Sequence, residues 1–106
     1  MNNPRIRILE SYLAEDPSDP FNYYALALEN LKDNPLEAAR LFDELLVKYP
    51  DYLPTYYSAG IFYAESQNDE KAMTILSLGI ELAKRQQATK TLRELQNALQ
   101  NLDAYI

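Results

Sequence analysis

The chain has no cysteine, no histidine and no tryptophan, and only two glycines among its 106 residues. The first two absences exclude disulfides, thiol nucleophiles, imidazole bases and ordinary zinc or haem ligation. So few glycines leave no phosphate-cradling loop. No apolar run is long enough to span a bilayer, and Met1-Asn2-Asn3-Pro4 leads into a patterned segment without a basic-then-apolar leader, so a soluble cytoplasmic protein is expected. Ten basic against sixteen acidic residues leave a net charge of −6, which repels nucleic acid and anionic membranes alike. The balance is −8 up to residue 70 and +2 beyond it. Such polarity either orients a partner or a second copy head to tail, or marks two differently solvated ends.

What remains reads as helix. Apolar residues recur at three and four with almost no β-branched alternation, in a chain 47% hydrophobic and 25% charged, as suits one globular domain of this length. Asp19 before Pro20 and Asn34 before Pro35 each place an N-cap ahead of a proline at the first helical position. Asn34 and Glu37 also have capping-box spacing. Further breaks at Tyr49-Pro50-Asp51, at Gln67-Asn68-Asp69 and between Arg85 and Thr89 give six helices, over about 5–15, 20–32, 35–48, 53–66, 69–84 and 88–103.

The chain also repeats itself. Asn34 recurs as Asn68, Ala38 as Ala72, Phe42 as Leu76 and Leu46 as Ile80, each a step of 34. Earlier segments step by 33: Leu9 pairs with Phe42, Leu13 with Leu46, Pro17 with Pro50, and Tyr23-Tyr24 with Tyr56-Tyr57. One deletion explains both offsets, in the turn where Lys32-Asp33-Asn34 is one residue shorter than Glu65-Ser66-Gln67-Asn68.

A helix-turn-helix period of 34 is that of the tetratricopeptide repeat, and the chain resembles that family over nearly its whole length. Tyr56, Ala59, Gly60 and Tyr63 fall on the family's first-helix positions, and Ala72, Leu76 and Gly79 on its second-helix positions. The preceding unit matches with Tyr23, Leu26 and Ala27, then Ala38, Phe42, Leu45 and the terminal Pro50. Three residues depart from the pattern. Asn30 stands where an aromatic is usual, Leu45 where a small residue is usual, and Lys84 in place of the closing proline, which frees the fifth helix to run on for a further turn. The resemblance implies an all-α fold, a right-handed superhelical stack of antiparallel helix hairpins in a single domain over 1–106. Its parts are a half repeat at 5–17, repeats at 20–50 and 53–84, and a capping helix at 88–103.

Physical chemistry points the same way. Gly60 and Gly79 lie mid-helix, where each costs about 1 kcal/mol against alanine unless close helix contact offsets it. Gly60→Leu is expected to cost about 1–3 kcal/mol by overpacking. In the last helix Leu92, Leu95, Leu99 and Leu102 make one apolar stripe, with Lys90, Arg93, Asn97, Gln100 and Asn101 away from it. That pattern fits a terminal cap with a polar outer face; a two-heptad coiled-coil seam is the rival.

The resemblance implies that the first helix of each unit lines a concave surface. Tyr24, Leu28 and Lys32 recur there as Tyr57, Ile61 and Glu65, each trio on one helical stripe, flanked by Leu31 and Ala64. If exposed, these eight residues form a shallow groove for apolar side chains of a protein or peptide; the plain alternative is that they pack on the neighbouring repeat. Tyr23, Tyr56 and Tyr63 are expected in the core. Some family members grip a terminal carboxylate with Lys, Arg and Asn, but the matching positions here hold Tyr24, Leu28, Tyr57, Ser58 and Ile61, so that clamp is absent. Lys84, Arg85, Lys90 and Arg93 cluster near the last loop, where they meet either an acidic partner or the carboxyl end of the fifth helix.

Enzyme readings find little support. The doublets Asp43-Glu44 and Asp69-Glu70 diverge by about 100° on a helix, and Asp16-Pro-Ser-Asp19 lacks the ligand pattern of a calcium loop. The expectation is a non-enzymatic protein-binding module without cofactor or metal. The alternative is a self-associating homodimer, through the same groove or through the capping helix.

Overall fold

A computed structural model describes residues 3–103, which form six α-helices and, among the described residues, no strand. They are α1 (Pro4–Glu15), α2 (Pro20–Asn30), α3 (Pro35–Lys48), α4 (Pro54–Glu65), α5 (Asp69–Arg85) and α6 (Thr89–Asp103). Helix α5 passes the expected end by one residue rather than a turn. Packing divides the chain after Tyr52 into two compact units.

Side-chain caps start three of the helices, and of the two caps expected from the sequence the one at Asp19 forms. Asn3 Oδ1 accepts from the N–H groups of Arg5 and Ile6 at 3.0 and 3.4 Å, and Asp19 Oδ1 from Phe21 at 3.0 Å, each ahead of a proline. Asn68 Oδ1 accepts from Lys71 N–H at 3.4 Å. The capping box expected at Asn34 does not form: Asn34 makes no side-chain cap bond, and its carbonyl accepts from Glu37 and Ala38 instead. Glu37 turns away to Arg40, which it binds through both oxygens at 2.7 and 2.8 Å. Asn34 N–H already donates to Asn30 O at 2.9 Å, so the carboxylate has no free cap donor to accept from and takes the charge-assisted bonds of Arg40 instead.

In the first unit α1 and α3 each pack on α2. Tyr23, Leu26, Ala27, Ala38, Leu41, Phe42 and Leu45 are buried there, so the α2–α3 hairpin carries the core. No residue of α1 is fully buried, and Ile8 and Tyr12 lie on its open side. Asn22 ties the hairpin to α1, donating to the carbonyls of Tyr12 and Asp16 at 3.3 and 3.0 Å. Tyr49 packs its ring on Tyr23, centroids 5.6 Å apart, and donates its hydroxyl to Pro17 O at 2.7 Å. Asn30, at an aromatic position, is buried and donates to Leu26 O at 2.8 Å within its own helix, which satisfies that donor.

In the second unit α5 packs on both α4 and α6, and α4 also touches α6. Both glycines sit at helix contacts. A Cβ on Gly60 would lie 2.7 Å from Leu76 Cγ, and one on Gly79 would lie 2.5 Å from Tyr56 Cβ and 3.2 Å from Leu95 Cδ1. The close approach inferred for these positions is therefore present, between α4 and α5 and between α5 and α6. Tyr56 and Tyr63, like Tyr23, are buried as expected, and Lys71 Nζ stands 4.3 Å from the Tyr63 ring centroid. Leu95 and Leu102 of the α6 stripe are buried, with Leu92 and Leu99 half-buried, so the unit itself uses the surface that a coiled-coil seam would need.

Candidate functional site

Helix α4 commits one face to the core through Tyr56, Ala59, Gly60 and Tyr63. Tyr57, Ile61, Ala64 and Glu65, at i, i+4, i+7 and i+8, form another stripe. Glu94, Asn97, Ala98 and Asn101 of α6 repeat at i, i+3, i+4 and i+7 and face that stripe, with Leu102 beside them and Asp69 of α5 at one end. Together they line an open cleft of about 620 Å³. Its walls are apolar at Tyr57, Ile61, Ala64, Ala98 and Leu102, and carboxylates stand at Glu65, Asp69 and Glu94. Tyr57 is 40% exposed, although it is aromatic and mid-helix. The amides of Asn97 and Asn101, one turn apart, present both donors and acceptors.

Four of the eight residues expected in a groove, Tyr57, Ile61, Ala64 and Glu65, thus meet in one cleft. The other four, Tyr24, Leu28, Leu31 and Lys32, belong to the first unit. Tyr24 is half-buried with its ring edge-on to Tyr52 at 5.7 Å, Leu28 and Lys32 are exposed, and Leu31 is half-buried. Burial, with the Tyr24 and Asp19 charges behind it, pushes the Tyr52 phenol above the ordinary tyrosine range. In the same unit, the hydrogen bond from Arg40 holds the Glu37 carboxyl below the usual carboxylate range.

Sequence reasoning missed the α6 wall. Asn97 and Asn101 were expected on an outer polar face; they are exposed, but they line the cleft. Glu94 and Ala98 carried only their spacing as a signal, and spacing does not say which flank of a leucine stripe turns towards another helix. The basic cluster is explained at its first two members: Lys84 and Arg85 occupy the last turn of α5, the position a helix dipole favours for cations, and Lys84 Nζ lies 3.6 Å from Glu81. Among the described residues, no three acidic, histidine or cysteine side chains gather as a metal site, and no helix is long and apolar enough to cross a membrane.

This architecture, helix hairpins repeating at 33 to 34 residues with small residues at the helix crossings, defines a helical-repeat protein. Two solved structures of a tetratricopeptide repeat domain protein from Salinibacter ruber are similar to it. The solution NMR structure is 42% identical with a TM-score of 0.80, over 84% of this chain and 91% of that one. The crystal structure is 40% identical with a TM-score of 0.79, over 83% of this chain and 100% of that one. The chain belongs to the tetratricopeptide repeat family, an all-α fold whose general role is protein interaction. No family model matches the sequence, and no curated protein matches it significantly.

Proposed function

We propose that the chain is a non-enzymatic interaction module that seats an apolar side chain of a protein or peptide partner in the cleft between α4 and α6. One observation carries the reading. A tyrosine, an isoleucine and an alanine on one helix face an alanine and a leucine on another across about 620 Å³ of open space. That volume lies within the about 300–1,000 Å³ of typical ligand sites, which combine apolar walls with a few polar groups. Tyr57, Ile61 and Ala64 supply contact area, and Glu65 borders it. In the first unit the stripe Tyr24, Leu28, Leu31 and Lys32 takes the same role on its own, as a shallow contact strip.

The test is affinity capture from source-cell lysate with wild type, Tyr57→Glu and Tyr24→Glu, each checked for native circular dichroism. Tyr57→Glu should lose partners that wild type retains, because it places a charge in the apolar wall. Identical recovery by wild type and Tyr57→Glu would remove the cleft as the site.

A further inference from the structure

The cleft carries a charge pattern that folding alone does not require. Glu65, Asp69 and Glu94 stand along it, and no lysine or arginine lines it. Asp69 has a structural reason to be acidic, since it occupies the first turn of α5, where the positive end of the helix dipole favours an anion. Glu65 is in the opposite situation. It is the last residue of α4, where the dipole favours a cation, and its counterpart one repeat earlier is Lys32. Glu94 lies within α6 on the side that lines the cleft. Among the described residues, no ion pair engages any of the three.

Building on the docking reading above, we infer that the occupant is a partner's peptide segment presenting one large apolar side chain flanked by lysine or arginine. The apolar walls take the central side chain, and the carboxylates meet the flanking cations. The exposed ring of Tyr57 offers a guanidinium a π face, a contact the chain already makes internally between Lys71 and Tyr63. Asn97 and Asn101 are placed to bond the segment's backbone. The same charges reject acidic tails and phosphate groups, and a second copy of the chain, itself at −6, is repelled on approach.

The experiment titrates the nitrogen-15-labelled chain with four capped peptides on a Gly/Ser frame, read by amide shifts and by fluorescence anisotropy. One has a central Phe flanked by arginines; two keep the Phe but flank it with serines or with glutamates; the last has a central Ser flanked by arginines. The arginine–Phe peptide should bind about tenfold tighter than the serine–Phe peptide at low salt, with shifts on α4 and α6. That ratio should shrink in ~0.5 M salt, and a Glu65→Gln/Glu94→Gln variant should lose the preference while keeping serine–Phe binding. The glutamate–Phe and arginine–Ser peptides should bind weakest.

Equal binding of all three Phe peptides at the cleft would overturn the cationic assignment and leave the docking reading standing. Arginine–Ser binding as tight as arginine–Phe would also overturn it, as attraction without an anchor. Self-association of the free chain with shifts on α4 and α6 would name a second copy as the occupant instead. Absence of binding by every Phe peptide, or shifts elsewhere that Tyr57→Glu leaves unchanged, would overturn both readings.

Discussion

The α2–α3 and α4–α5 hairpins follow one pattern yet fill their cores with different residues. Where the first has Leu45, fully buried, the second has Gly79, at which even a Cβ would lie 2.5 Å from Tyr56 Cβ. Where the first has Asn22 bonded to two carbonyls, the second has Thr55, fully buried with its hydroxyl unpartnered. The turns differ as well. Asn34 N–H closes the shorter one on Asn30 O at 2.9 Å. The longer one places Gln67 at φ 62° and forms a Schellman pair, Asn68 N–H to Tyr63 O at 2.8 Å and Gln67 N–H to Ala64 O at 3.1 Å. The α5–α6 turn repeats that pair, with Gln87 at φ 57°. A repeat thus fixes where helices meet, while each unit divides volume and hydrogen bonds among neighbours in its own way.

Exchanging the residues at the crossing tests this most severely. Leu45→Gly should cost about 4 kcal/mol, from the cavity together with the helix penalty of glycine. Gly79→Leu should cost about 3 kcal/mol by overpacking. Urea titration measures both, and a cost under about 1 kcal/mol for either would mean that the two positions are interchangeable after all.

Within the second unit the glycines should rank. At Gly79 the obstacle is the Cβ of Tyr56, fixed by its backbone, whereas at Gly60 it is the outer part of the Leu76 side chain. Gly79→Ala is therefore expected to cost about 2 kcal/mol and Gly60→Ala about 1 kcal/mol or less, since repacking and better helix propensity offset part of the clash. Thermal unfolding that reversed the order would place the less yielding contact at Leu76 rather than at Tyr56.

The polar pair predicts opposite signs. Asn22→Ala should destabilise by about 1 kcal/mol, whereas Thr55→Val should stabilise by about the same amount, because it removes a buried hydroxyl without a partner. Smaller gains are expected at the turns. Gln67→Gly and Gln87→Gly each relieve a left-handed residue, worth about 0.5 kcal/mol and a few degrees in Tm. Asp33→Gly, in the turn without such a residue, should give no gain.

The least effect is electrostatic and confined to the first unit. Glu37 has a lowered pKa, so its contribution is present at neutral pH and fades as pH falls below about 4. Tyr52 has a raised pKa, so its contribution is lost as pH climbs above about 10. Glu37→Gln should cost only about 0.3 kcal/mol, since the pair with Arg40 is largely solvated, and should flatten the acid limb of a stability–pH curve.

Prolines and short polar residues announced the helices to within two residues, and the 33-to-34 offset announced their pairing. The glycines announced the crossings, because an unoffset helical glycine is destabilising. The candidate cleft was legible in part: four of the ten residues that line it stand among those expected in a groove. Tyr57, Ile61, Ala64 and Glu65 followed from matching one unit against the other, while Glu94, Asn97, Ala98 and Asn101 had no counterpart against which to be matched.

By itself the sequence determined the periodic features: helix, turn, repeat and the side of each helix that enters the core. These follow from local sterics and from the 3.6-residue period, which any helix of this composition obeys. Tertiary structure alone decided how α6 turns against α4 and that Thr55 is enclosed without a partner. Each depends on neighbours distant along the chain, and it is settled only when the packed side chains fix their positions.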